Sequence, residues 1–207
     1  MKIIAIKPIL FTFFILIFCF NVSNLQPKEI LKIEEDEIIL GNPDAPITVI
    51  EYASMSCPHC ASFHLNTLPI IKEEYIDTGK VKFVFRDYPF NLPALQASMI
   101  IRCVGESVYH KYINALFSMQ KKWVKSKGSA EKLFEIMNNS GMSKEEFDIC
   151  LNDKDMENKI LSGQLEAQKQ LSIKTTPSFI INGKKLEGNK PIDTFRNIFE
   201  SILEKSI

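Results

Sequence analysis

Cys57 and Cys60 stand two residues apart, with Pro58 and His59 between them, in the stretch "SMSCPHCASFH" at residues 54–64. Cysteines so spaced can ligate a metal, close a small loop, or pass electrons by exchanging a disulfide. A structural zinc site takes four ligands and normally draws on a second Cys or His pair. His59, His64 and His110 are available, but Cys103 and Cys150 are single and no second pair follows. A metal-binding protein using Cys57, Cys60 and His64 therefore stands as the alternative from another class. An inert staple is a poor fit, because a disulfide across so short a loop removes little unfolded-chain entropy. Reactivity is the better fit, if a helix begins at the first cysteine. Unsatisfied N–H groups and the positive helix end favour thiolate over thiol, and the thiolate is the attacking species in exchange. Cys57, first in the motif, is then the exposed low-pKa nucleophile and Cys60 the shielded resolving thiol. His59 adds positive charge or a hydrogen bond near Cys57.

The surrounding elements supply that placement. "ITVIEYAS" (47–54) is rich in β-branched and aromatic residues and bounded by turn formers, so it reads as a buried strand ending at the motif. Phe63, Leu68, Ile71 and Tyr75 follow at helical spacing, with Pro69 predicting a kink. "VKFVFRDYPF" is a second buried strand, and "EIIL" near residue 38 a short one. From Leu92 to Leu171 the pattern is helical. It includes a capping box at Ser143 and Glu146 before Phe147, Cys150 and Leu151, and breaks at Gly128 and Gly141. The tail returns to strand at "TTPSFIING", turns at Asn182-Gly183, pairs through "KKLEG", and opens a last helix at Pro191. The order predicts a mixed α/β sheet with helices on both faces. Its expected divisions are 38–91 and 172–207 as the two parts of the sheet domain, with 92–171 as an inserted all-helical subdomain. Residues 24–37 form a flexible charged lead.

Residues 1–23 read as a secretory signal or an uncleaved anchor. Lys2 and Lys7 precede an apolar run from Ile9 to Phe20 interrupted by Thr12, whereas a membrane span needs about 20 apolar residues. The expected location is the periplasm. Of five cysteines, Cys19 falls in that segment, leaving an even number in an oxidising compartment. With Cys57 and Cys60 paired locally, Cys103 and Cys150 remain as a structural disulfide, the alternative being two small buried thiols. The 207 residues carry 25 basic and 25 acidic side chains, a balance without the electrostatic footprint of a nucleic-acid binder. Trp123 in "QKKWVKSK" reads as a residue packing at a helix end rather than a docking patch.

Cys57-Pro58-His59-Cys60 after a strand, Thr176-Pro177 before a later strand, and a helical insertion between them resemble the DsbA-like thiol–disulfide oxidoreductases. The resemblance spans nearly all of residues 38–205. It implies a thioredoxin fold, a cis Pro177 against the active-site cysteines, and Thr176 shaping the substrate groove. It also implies that Glu51 is the family's buried acid, serving proton transfer at Cys60; by itself Glu51 reads equally well as a surface charge at a strand end. The implied activity is donation of the Cys57–Cys60 disulfide to unfolded or folding exported proteins through a mixed disulfide. No cofactor is implied, and a DsbB-like membrane protein is the implied reoxidase. Thr176 departs from the Val often found in strong oxidases and matches the Thr frequent in isomerases, so an isomerase or reductase direction stays open.

Overall fold

A computed structural model describes residues 31–125 and 128–206. The expected signal or anchor at 1–23 lies outside the described residues, as does Cys19. Five strands form one sheet in the order β1 (Ile39–Leu40), β3 (Val81–Asp87), β2 (Ile47–Ala53), β4 (Ser178–Ile181), β5 (Lys184–Glu187). β2 and β3 pair in parallel, and every other neighbour is antiparallel. β2 is the central strand, buried at every position but Thr48, which accounts for its apolar character apart from Thr48 and Glu51.

The parallel pair is joined by a helical crossover. α1 (Pro58–Ser62) and α2 (Leu68–Ile71) alternate with two π-helical turns, Phe63–Thr67 and Lys72–Ile76. The kink expected at Pro69 takes this form: the Leu68 N–H reaches back five residues to the Phe63 carbonyl just before the proline, whose missing N–H would break a regular ladder. The Asn182-Gly183 turn has both residues at positive φ, 43° and 82°, the geometry that a tight hairpin demands.

Alternation along β2 divides the interior. Ile47, Val49 and Ala53 face Phe63, Phe83, Phe85 and Phe179; Ile50 and Tyr52 face the opposite way with Val84 and Ile180. The first face is covered by α1 and by α9 (Ile192–Leu203) through Phe195 and Phe199. The intervening helices are α3 (Leu92–Cys103), α4 (Glu106–Ser118), α5 (Gln120–Trp123), α6 (Ser129–Asn138), α7 (Lys144–Asn152) and α8 (Lys154–Leu171). Leu116, Phe117, Trp123, Leu133, Met137 and Phe147 belong to the same apolar cluster as the first sheet face. The insertion thus shares its core with the sheet. α8 departs further from a self-contained insertion, since Ala167 and Leu171 pack on the second sheet face. Trp123 is fully buried and donates to the Leu116 carbonyl at 3.0 Å. The capping box at Ser143 and Glu146 is formed in both directions.

Two further features concern the ends and the spare cysteines. The lead was expected to be flexible, but residues 31–37 are tied down: Leu31 and Ile33 pack on the second face, and Arg86 grips Glu37 at 2.6 and 2.8 Å and the Lys32 carbonyl at 2.6 Å. A half-buried arginine on the strand needs a carboxylate, and the lead supplies it. Cys103, at the end of α3, is bonded to Cys150 of α7 with a Cα–Cα distance of 5.7 Å.

Candidate active site at the Cys57–Cys60 turn

β2 delivers the chain to the site and α1 leaves it. After Ala53, the Cys57 N–H closes a turn on the Ser54 carbonyl at 2.9 Å. Cys57 then takes the N-cap position with extended dihedrals (φ −82°, ψ 121°), and Pro58 occupies the first turn, where its missing N–H costs nothing. The turn is held from outside as well. Gln120 of α5, itself buried, donates its amide to the carbonyls of Met55 and Cys57 at 2.9 and 3.0 Å. Asn91 reaches the Ser56 hydroxyl at 3.1 Å.

The two sulfurs are unbonded to each other and differ sharply. Cys57 is 9% exposed and Cys60 fully buried, so the expected nucleophile is more sheltered than the sequence suggested. The segment before β4, with its cis Thr176–Pro177 bond, comes up against it through Thr176. When protonated, Cys57 donates to the Thr176 carbonyl at 3.4 Å. Its pKa is lowered to about 5. The Cys60 thiol donating toward the Cys57 sulfur is the main cause; burial opposes, and the Thr176 side chain and the backbone N–H groups of Cys60 and His59 add to the lowering. The Thr176 hydroxyl favours the thiolate although it has no partner at full hydrogen-bond geometry. His59 thus acts here through its main chain, its side chain being exposed. Cys60 is pushed well above the ordinary thiol value by burial first, then by the hydrogen bond to Cys57 and the charge of Glu51.

Glu51 is fully buried, not an end-of-strand surface charge. It sits on the first sheet face, and its Oε2 meets His64 Nε2 at 2.6 Å. Burial raises its pKa, His64 works against that, and Cys57 adds to it. His64 is therefore committed to Glu51 rather than turned toward the sulfurs as a ligand. Among the described residues no group of three His, Cys, Asp or Glu side chains is arranged to hold a metal ion.

Sequence reasoning missed Gln120 and the partnership of Glu51 with His64. A lone glutamate inside "ITVIEYAS" and a histidine one turn past the second cysteine were the available signals. Gln120 carried none, since only the fold brings α5 to the turn. A cavity of about 530 Å³ lies elsewhere, on the second sheet face, between α8 and the lead. Neither cysteine of the motif is among the residues that line it.

The thioredoxin family model matches residues 34–201. A protein named as a protein-disulfide oxidoreductase in Rickettsia bellii is 33% identical over 180 residues, covering 86% of this chain and 69% of that one. Its counterpart in Rickettsia typhi is 36% identical, covering 87% and 67%. The crystal structure of Wolbachia pipientis alpha-DsbA1 superposes with a TM-score of 0.82 at 34% identity, covering 87% of this chain and 97% of that one. The chain belongs to the DsbA-like thiol–disulfide oxidoreductases. As in any DsbA-like enzyme, the chemistry is exchange between a protein dithiol and a disulfide. Oxidised BdbD of Bacillus subtilis, at 23% identity and a TM-score of 0.73, shares the fold.

Proposed function

We propose that this enzyme is exported and works as a disulfide donor, with Cys57 as nucleophile and Cys60 as resolving thiol. The observation that carries the reading is the opposed pair of shifts: a Cys57 thiolate favoured down to about pH 5 beside a Cys60 thiol held protonated. In the donating direction, a substrate thiolate attacks the Cys57 sulfur of the Cys57–Cys60 disulfide. Cys60 leaves and takes up a proton, and a mixed disulfide joins substrate to Cys57. A second substrate thiolate attacks the substrate sulfur of that bond, and Cys57 leaves as a stable thiolate. Two electrons pass to the enzyme and the substrate gains a disulfide. Thr176 and Pro177 border Cys57 and offer main chain along which an extended substrate can lie as an added strand.

The direction follows from which state the site stabilises. A thiolate two pH units below neutral stabilises the dithiol by about 2.7 kcal/mol, or roughly 60 mV before solvent screening reduces it. The expected potential is more oxidising than the approximately −270 mV of thioredoxin. Equilibration of the Cys57–Cys60 couple with glutathione buffers measures it. A value at or below thioredoxin's would make the enzyme a reductase instead. The proposed substrates are unfolded or folding exported proteins, and the proposed reoxidase a DsbB-like membrane protein. The apolar run at Ile9–Phe20 behind Lys2 and Lys7 supports export, whether residues 1–23 are removed or kept as an anchor. Among the described residues no helix is long and apolar enough to cross a membrane.

A further inference from the structure

Each passage of electrons through Cys57 and Cys60 obliges Cys60 to gain or lose a proton, yet its sulfur has no access to water. Some buried group must carry that proton. Glu51 and His64 come from different elements, β2 and the π turn after α1, and meet at 2.6 Å with 0% and 3% exposure. The imidazole is walled by the rings of Phe85 and Phe117, at 5.5 and 4.6 Å between centroids. Each partner keeps one buried atom without a hydrogen bond, Oε1 of Glu51 and Nδ1 of His64. An unused carboxylate oxygen in an apolar site is costly unless it has a task.

We propose that His64 is the positioning residue of this proton transfer: it fixes Glu51 through Oε2 and shares one exchangeable proton with it, leaving Oε1 to take that proton from Cys60 or return it. The proposal rests on the reading of Cys57 and Cys60 as the exchanging pair. When a mixed disulfide on Cys57 is resolved, the Cys60 proton passes to the Glu51–His64 couple. The Cys60 thiolate attacks the Cys57 sulfur, the new Cys57–Cys60 bond forms, and the departing thiolate carries off the electron pair of the broken bond. In the donating direction the same proton returns to Cys60 as it leaves.

The other charged and titratable groups facing the couple do not compete near neutral pH. At the start of α1, Cys57 is tied up in the mixed disulfide and cannot take a proton, and Cys60 is the proton's origin. From α4, burial holds His110 neutral down to about pH 4 and keeps the Tyr109 phenol protonated. Arg102 of α3 is bound to Asp87 of β3 at 2.7 Å. The Glu51–His64 couple is left as the acceptor.

The test follows release of glutathione from the Cys57–glutathione mixed disulfide by stopped flow between about pH 5 and 9, in wild type, His64→Gln and His64→Leu. Wild type should level off with rising pH, because a buried base accepts the proton and its deprotonation sets the rate. Glutamine keeps a donor for Glu51 but cannot ionise, so the carboxyl stays protonated to higher pH. The plateau should move up by about one pH unit, and release at a pH below the plateau should slow about tenfold. Leucine should do at least as much. A His64→Gln profile that superposes on wild type would overturn the proposal alone; failure of wild type to form or resolve the adduct would overturn the functional reading with it. Where a variant does not fold, wild type decides. The carboxyl infrared band of Glu51 and the nitrogen resonances of labelled histidine should change together at one pH, and separate titrations would sink the shared proton.

Discussion

Which atoms lower the Cys57 pKa decides which substitutions matter. The Cys60 thiol contributes most, and His59 contributes a main-chain N–H that any residue but proline retains. Cys60→Ala should therefore raise the Cys57 pKa more than His59→Ala, which should move it by less than about one unit; thiolate absorbance against pH compares the two. The shift also makes stability depend on pH in the dithiol form only. An unfolded cysteine titrates near the ordinary value of 9.0 and the folded one near 5. Between those values the unfolded chain binds more protons, so reduced-state stability rises with pH, is fully present above about 9, and is lost as pH falls through about 5. The unfolding free energy of the reduced enzyme minus that of the oxidised one, from urea titrations, should grow from pH 5 to 9 with a slope of at most about 1.4 kcal/mol per pH unit. A flat difference would contradict the depressed pKa. At this scale the sequence was informative about the sulfurs and mute about their supports. The spacing of Cys57 and Cys60 carries its own chemistry, whereas the burial of Glu51 depends on Phe83, Phe85 and Phe179 arriving from other strands.

The elements position the turn by a division of labour. β2 brings the cysteines to the sheet's end, α1 supplies the N–H groups, and α5 clamps the bend through Gln120. Removing that amide leaves the Met55 carbonyl without this donor, while the Cys57 carbonyl still accepts from the Ala61 N–H at 3.1 Å. Gln120→Ala should thus cost about 1–3 kcal/mol of stability, read as a lowered urea midpoint at an unchanged slope. It should also slow reaction of Cys57 with a peptide disulfide, since the turn is less well fixed. A variant as stable and as fast as wild type would show that the clamp is dispensable. Element order was legible because strand and helix periods alternate cleanly along this chain, and Ser143 and Glu146 announced a cap that forms. The role of α8 was not legible. Its helical run continues the insertion in sequence, and only tertiary packing sets Ala167 and Leu171 against the second sheet face.

Across the whole molecule, the continuity of the core bears on how it unfolds. One cluster runs from Val49 and Phe83 in the sheet through Phe117 and Trp123 to Phe147 and Cys150 in the helices, so the inserted helices have no separate interior in which to survive alone. α8 binds the same helices to the sheet's other face. Heat or urea should therefore give a single transition, followed alike by far-ultraviolet dichroism and by fluorescence of Trp123, which reports from inside the helical region. The Cys103–Cys150 bond spans 47 positions and joins α3 to α7 within that region. Its loop-closure contribution is about 4 kcal/mol, a model-dependent figure. The Cys103→Ala, Cys150→Ala double variant should lose up to that amount while keeping one coincident transition, because the shared apolar core and not the bond couples helices to sheet. If the two signals separate, with Trp123 fluorescence changing first, the bond rather than the packing is what makes the two parts unfold together.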